Sequence, residues 1–295
     1  VDRHDLDSVD DPLFLETPAG VEHHRERPLR TLDLVPERED EADARRRIGH
    51  RWMVPDEGRS QEPWYLVRMR TLVTGGAGFI GSTLVDALVA RGDSCTVLDD
   101  LSRGEIANLA HHGDRVTFVE GSVTDRDLVD SVVPGHDMVF HLASVVGVAT
   151  TIADPERVVD VIVNGTRHVL AAADADAAVL VASSSEVYGR SPDTPFEEST
   201  PGVIGAPTEP RWSYAHAKAC SEHLALAAAR TGRRPPSVVR YFNVYGPRMA
   251  HRDPSVMSRF LSAARRGEDL EVHGDGHQTR CFVHVDDAVA GTLAV

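Results

Sequence analysis

Apolar and polar positions change rhythm near residue 69. From there on, short apolar runs over 70–74, 94–98, 115–119, 137–141, 178–183 and 237–242 alternate with stretches of helical spacing near 79–91, 125–133, 155–173 and 213–230. Such runs suit strands buried on both faces, and the stretches between them supply the helices that cover those faces. The alternation predicts an α/β fold, a doubly wound parallel sheet of Rossmann type. Asp154-Pro155 marks a helix start, because proline at the first turn gives up an N–H that has no helical partner there. Val158, Val161, Ile162, Val169 and Leu170 form an apolar stripe behind it, and the helix over 213–230 carries another.

Residues 1–68 lack this order. They are rich in acids and arginine, with scattered prolines and at most a short polar helix from Glu37 to Arg47. A segment with so little to bury does not offset its ordering entropy, so 1–68 is expected to be a disordered extension. A regulatory or partner-binding tail is the competing reading. The first residue is valine, and Met69-Arg70 opens straight into the first strand, which suggests an upstream extension to a domain over 69–295. At the other end, Ala288 to Val295 begins a helix and stops inside it, as a truncated domain would.

Two patterns carry chemistry. Thr74-Gly75-Gly76-Ala77-Gly78-Phe79-Ile80-Gly81 lies between the first strand and the first helix. Gly76 and Gly78 allow the backbone to approach a pyrophosphate, and Gly81 allows close helix–strand packing. The helix N-terminus, opening at Phe79 and Ile80, offers N–H groups to phosphate oxygens. The second strand ends at Asp99, where an acid can accept both hydroxyls of an adenine ribose and would repel a 2′-phosphate, favouring NAD over NADP. A helix cap or loop acid is the alternative for Asp99.

The second pattern is Tyr214-Ala-His-Ala-Lys218. Of 31 lysines and arginines, Lys218 is the only lysine. On a helix it shares a face with Tyr214, and its ammonium is a compact point charge that can favour a phenolate. Moving a tyrosine from about 10 to about 7 needs roughly 4 kcal/mol, of which a close cation supplies part. An ordinary exposed Tyr/Lys pair is the bland reading.

Charge and composition narrow the class. A net charge of −15 with no concentrated basic patch argues against a nucleic-acid partner. No stretch reaches the ~18 uninterrupted apolar residues of a membrane span. Cys95, Cys220 and Cys281 have neither metal spacing nor an even framework, and the first residues lack an apolar signal core, so a cytoplasmic location is expected. Among 15 histidines, the pairs His23-His24 and His111-His112 and the turn-flanking His273 and His277 read as solvated loop residues, and no metal is expected.

Several ordered motifs over about 69–295 resemble the extended short-chain dehydrogenase/reductase family, in its nucleotide-sugar epimerase/dehydratase branch. Gly75-x-x-Gly78-x-x-Gly81 matches the family's cofactor turn, and Phe140-His141-Leu142-Ala143-Ser144 its fourth-strand motif. Ser183-Ser184-Ser185-Glu186-Val187-Tyr188-Gly189 resembles its fifth-strand motif, and Tyr214 with Lys218 its catalytic pair. Arg240 to Arg248 and Gln278 to Asp287 are similar to two later substrate-side motifs.

The resemblance implies NAD as cofactor, held also by the backbone at Leu142 and Ala143. It implies a nucleotide-diphosphate sugar as substrate, and a homodimer formed through the helices over 155–173 and 213–230. Ser184, Tyr214, Lys218 and Glu186 would be catalytic. Tyr214 would take a proton from a sugar hydroxyl, Lys218 would hold the nicotinamide ribose, and Ser184 would bond the reacting oxygen. Ser185, Asn243 and Arg280 would bind substrate, Arg280 through its fork. Each has a structural alternative: a strand end for Ser183 to Ser185, a turn for Asn243, an ion pair with Asp286 or Asp287 for Arg280.

Three departures matter. Ser122 stands where the family places an adenine-contacting aspartate, Ser185-Glu186 replaces the Asp-Glu pair of its 4,6-dehydratases, and the substrate lobe stops short. The expected reaction is 4-epimerisation through transient oxidation at C4. Nucleotide-glucuronate decarboxylation or 4,6-dehydration is the alternative, and a non-catalytic NAD-binding protein is a second.

Overall fold

The computed structural model describes residues 68–249 and 255–295, so the expected extension lies, Arg68 aside, outside the described residues. Six parallel strands form the main sheet: β1 (Arg70–Thr74), β2 (Ser94–Asp99), β3 (Val116–Glu120), β4 (Met138–His141), β5 (Ala178–Ser184) and β6 (Ser237–Tyr241). Their order is β3-β2-β1-β4-β5-β6, the doubly wound arrangement expected. β1 pairs with β2 on one side and β4 on the other, with Thr74 level with both Leu98 and His141. The chain reverses direction across the sheet at this β1/β4 junction, which opens a crevice at the strands' carboxyl ends.

Helix α1 (Phe79–Arg91) follows β1, and α2 (Arg126–Val132) follows β3. A short α3 (Val148–Ala153) precedes α4, which runs from Pro155–Val159 through a π-helical turn at Asp160–Asn164 into Gly165–Ala172. Then come α5 (Ser213–Ala228), α6 (Val256–Arg266) and α7 (Val285–Ala294). A second, two-stranded parallel sheet joins β7 (Asn243–Tyr245) to β8 (Phe282–His284).

Alternation along each strand divides the core in two. Val73, Val97, Phe140 and Leu180 meet Leu84, Val85 and Leu88 of α1 and Val285 and Val289 of α7 on one face. Leu72, Leu98, Val139, Val179 and Val181 meet Val129, Val169 and Ala225 on the other. β5 is buried along its whole length, as a central strand covered on both faces must be.

The strands and long helices fall where the apolar rhythm put them. α3, α6, β7 and β8 were not anticipated. β7 and β8 have only three residues each and are half-exposed, too short to show a period. α6 buries none of its residues, so its apolar positions point to no core. Among the described residues, no helix is long and apolar enough to cross a membrane.

Candidate active site

The glycine turn is a cradle shaped by contacts that exclude side chains. Gly75 takes φ +73°, and a Cβ there would lie 2.8 Å from the backbone nitrogen of Ala143. A Cβ on Gly81 would collide with the carbonyl oxygen of Gly75 and the backbone of Gly76. At Gly78, by contrast, the nearest obstacle is Gly75 O at 3.2 Å, so its outer side is open. No side chain caps α1 at Gly78, which leaves the first-turn N–H groups near Phe79 and Ile80 suited to an anion. These features fit the pyrophosphate of a dinucleotide.

Asp99 closes the other end of the cradle. Its carboxylate oxygens accept from Ala77 N and Leu101 N, each at 2.9 Å. Burial pushes its pKa up, and those two backbone donors pull it back. Each oxygen keeps a further lone pair, which fits a ribose diol. Ser122 instead serves its own turn, accepting from Thr124 N at 3.2 Å. Leu142 N and Ala143 N donate to Thr74 O and Thr74 Oγ1, so both residues lie at the β1/β4 junction as expected of cofactor-lining backbone.

A buried histidine fixes that junction. Thr166 Oγ1 donates to Ile162 O, so it accepts from His141 Nε2 at 3.1 Å. His141 Nδ1 then accepts from Thr74 Oγ1 at 2.8 Å, and Thr74 Oγ1 accepts from Ala143 N at 3.2 Å. Every donor has one direction, which requires the neutral Nε2–H tautomer. Burial, then the nearby charge of Lys218, pushes the His141 pKa down to about 3, which keeps the ring neutral. The chain ends at the π-helical turn of α4. Spacing gave no sign of it, because its members are far apart in sequence.

α5 places Tyr214 and Lys218 one turn apart. The expectation that Lys218 lowers the Tyr214 pKa needs correction. Burial pushes Tyr214 up to about 12; the Ser184 hydrogen bond lowers it, the Glu186 charge raises it, and the Ser144 hydrogen bond lowers it. Lys218 Nζ lies 5.8 Å from the tyrosine ring centroid and donates instead to Ala182 O at 2.7 Å. Burial pushes Lys218 itself down to about 8, with Glu222 opposing. Burial therefore sets the direction of the phenol's shift.

Ser184, the last residue of β5, accepts from Glu186 N at 3.2 Å, and its hydroxyl faces Tyr214 and lowers the phenol's pKa. Ser183 donates to Glu222 Oε1 at 2.5 Å, and Arg240 grips both Glu222 oxygens at 2.8 and 2.7 Å. Burial raises Glu222, but the bonds from Arg240 and Ser183 outweigh it and hold the carboxylate below its ordinary range. Ser185 opens a 3-10 turn, Ser185–Tyr188, and is half-buried. Glu186 on that turn accepts from Arg211 Nη1 at 3.2 Å.

The structure thus gathers Ser184, Glu186, Tyr214 and Lys218, and adds Ser144 and Arg211, which the site assignment had missed. Ser144 was visible at the end of a recognised segment, Phe140 to Ser144, and Arg211 only by standing three residues before Tyr214. Asn243 and Arg280 belong to the β7/β8 lobe. Asn243 Nδ2 ties to Cys281 O at 2.9 Å, and Arg280 bonds Thr279 O and Gln278 Oε1 within its own segment.

His112 is not the solvated loop residue expected. It is buried, and Asp86 Oδ1 accepts from His112 Nε2 at 2.7 Å and from His111 Nε2 at 2.9 Å. The three donor atoms lie within 4.8 Å, a spacing a metal could use. Asp86 Oδ2, however, is engaged by the Arg248 guanidinium at 2.8 Å, a cation that opposes a second one.

The comparisons with known proteins agree with this geometry. The family model described as "NAD dependent epimerase/dehydratase family" matches residues 71–295. A UDP-N-acetyl-alpha-D-glucosaminuronate decarboxylase of Bacillus cytotoxicus is 42% identical over 231 residues, 77% of this chain and 71% of the relative. UDP-glucuronic acid decarboxylase 4 of Arabidopsis thaliana is 37% identical over 226 residues, 76% of this chain. The chain spans about half the length of that plant relative, 50%. Among solved structures, a UDP-N-acetylglucosamine 4-epimerase of Methanobrevibacter ruminantium superposes with TM-score 0.70 at 32% identity, over 77% of this chain and 72% of that one. A dTDP-glucose 4,6-dehydratase of Streptomyces venezuelae with NAD bound gives 0.67 at 36% identity, over 77% and 72%. A dinucleotide cradle, a Ser184/Tyr214/Lys218 set beside it and relatives that act on nucleotide sugars all agree: this chain belongs to the NAD dependent epimerase/dehydratase family, and its cofactor is NAD.

Proposed function

We propose that the protein decarboxylates a nucleotide-linked uronic acid through transient oxidation at C4. Sequence alone favoured 4-epimerisation; the decarboxylase relatives at 42% and 37% identity shift the weight to the former runner-up. The observation that carries the reading is the 42% identity to a nucleotide-sugar decarboxylase; the pair Ser185-Glu186 behind Ser184 is compatible with it, with one acid beside Tyr214 and a serine in place of the aspartate of the family's 4,6-dehydratases.

NAD, which the Gly75 to Gly81 cradle and Asp99 would hold, would supply the hydride acceptor for oxidation at C4 and the hydride donor for the closing reduction. Tyr214 takes the C4 hydroxyl proton, and Ser184 and Ser144 hold the oxygen that gives it up. Lys218, whose ammonium has donors left beyond the one given to Ala182 O, would hold the nicotinamide ribose. In the resulting ketone the C6 carboxylate is β to the carbonyl, so carbon dioxide leaves as the C5–C6 bonding pair moves toward the C4 oxygen. No further strong base is needed. Glu186 serves the proton that C5 then takes up. Asn243 and Arg280 hold the nucleotide sugar from the β7/β8 lobe.

The test is incubation with NAD and separate samples of UDP-glucuronate, UDP-N-acetylglucosaminuronate, UDP-glucose and dTDP-glucose, with products resolved by chromatography and mass. A product lighter by one carbon dioxide supports decarboxylation, and Tyr214→Phe should abolish it. A product lighter by one water points to dehydration. Unchanged mass with altered retention restores 4-epimerisation, a reading the solved 4-epimerase neighbour keeps in view. Bound NAD with no turnover favours a non-catalytic NAD-binding protein.

The homodimer belongs to the same proposal. Val159 on α4 and Leu226 on α5 are exposed apolar residues on the helices expected to pair. Light scattering after size exclusion tests it, and a monomer at working concentration would exclude it.

A further inference from the structure

We propose that Arg211 is a positioning residue for catalysis, holding the Glu186 carboxylate in place and balancing its charge beside Tyr214. The inference rests on Tyr214 as the base of the proposed reaction. Its foundation is a rigid platform. Trp212 is fully buried, its indole Nε1 donates to Glu209 Oε2 at 3.0 Å, and Gly205 packs so tightly on the ring that a Cβ there would collide with it. The Arg211 guanidinium lies 4.9 Å from the centroid of this ring. A planar cation stacked on a locked aromatic face loses little further freedom when it makes a directed bond.

That bond runs to Glu186 Oε2 at 3.2 Å, between side chains only 12% and 27% exposed. It joins the two segments that supply the reacting groups. Arg211 and Trp212 lead directly into α5, so Arg211 sits three residues before Tyr214. Glu186 lies two residues after Ser184 and donates its own N–H to Ser184 Oγ. Arg211 therefore fixes the Ser184 segment against the Tyr214 segment.

The charge argument follows from the neighbours. Tyr214 faces Lys218 from its own helix, Glu186 from the turn after β5, and the hydroxyls of Ser184 and Ser144 from β5 and the segment after β4. His141 lies behind Lys218 as a neutral ring. Glu186 faces Arg211, while Arg190 lies 5.3 Å from the Trp212 centroid. Of these groups Glu186 is the anion, and its charge opposes ionisation of Tyr214. A cation bonded to Glu186 offsets that opposition.

The experiment follows Tyr214 directly in the full chain, with and without NAD, by the 13Cζ resonance of labelled tyrosine. The resonance is assigned by its loss in Tyr214→Phe. Arg211→Gln should move the titration midpoint upward and lower kcat/KM by about tenfold. Arg211→Lys, which keeps the charge, should return the midpoint toward the parent. Glu186→Gln should move it downward, and adding Arg211→Gln to that variant should then produce no further upward shift. An unmoved midpoint in Arg211→Gln, or the same upward shift with Glu186 already neutral, overturns the proposal. Should Arg211→Gln fail to fold, as thermal unfolding would show, Glu186→Gln alone decides: a midpoint that does not fall overturns it. The titration requires no substrate, so its result stands apart from failure of the decarboxylation assay.

Discussion

Keeping Lys218 charged inside the protein is costly. It is 4% exposed, and its pKa falls from 10.5 to about 8, which corresponds to roughly 3 kcal/mol of lost stability wherever both folded and unfolded chains carry the proton. The sign is that of a depressed lysine: the penalty is complete below about pH 8 and is relieved as pH rises toward 10.5. Lys218→Met, which fills similar space, is therefore expected to raise the unfolding midpoint at pH 7 while removing activity, with the gain shrinking at alkaline pH. Thermal melts across pH check this, and a destabilised variant at pH 7 would contradict it. At this scale the Tyr214/Lys218 pair was legible from spacing, because helical period alone puts the two on one face. The direction of the tyrosine's shift was not. It depends on how much water the fold removes, and on Ser144 and Glu186, which no helical period connects to Tyr214.

The elements show the same division. The strand–glycine–helix unit was legible because each glycine answers a local steric demand. Two of them separate stability from binding. Gly81→Ala drives a methyl into the Gly75 carbonyl and should cost about 2–3 kcal/mol. Gly78→Ala meets only Gly75 O at 3.2 Å, so it should fold within about 1 kcal/mol of the parent yet bind NAD at least about tenfold more weakly. Denaturant melts and NAD titration calorimetry read the two effects separately; equal stability losses would refute the distinction. α3, β7 and β8 escaped prediction because each is short, and their formation depends on contacts with residues far along the chain.

For the whole molecule, the sheet order was legible because alternating strands and helices admit few chiral solutions. What the pattern could not show is how the segment after β7 is fastened to α1. Arg248, in an unusual backbone conformation for a non-glycine residue at φ +69°, donates to Ser82 Oγ and pairs with Asp86, and Asp86 also holds His111 and His112. The pair is about one-third exposed, so a double-mutant cycle on Asp86→Asn and Arg248→Gln is expected to give a coupling of about 0.5–1 kcal/mol, and additive effects would show that no such fastening operates. The family's reaction was equally hidden, since Ser185-Glu186 suits both an epimerase and a decarboxylase.

The two-stranded sheet has a kinetic consequence. Its halves are separated by the whole stretch from Tyr245 to Phe282, each has only three residues, and α6 between them buries none of its own. Such a unit closes a long loop for little burial, and it stands at the low end of local opening free energies. Amides of β7 and β8 should therefore exchange with solvent deuterium through sub-global opening, orders of magnitude faster than those of β1, β4 and β5, which wait for global unfolding. The lobe proposed to hold the substrate would then breathe while the cofactor cradle stays shut.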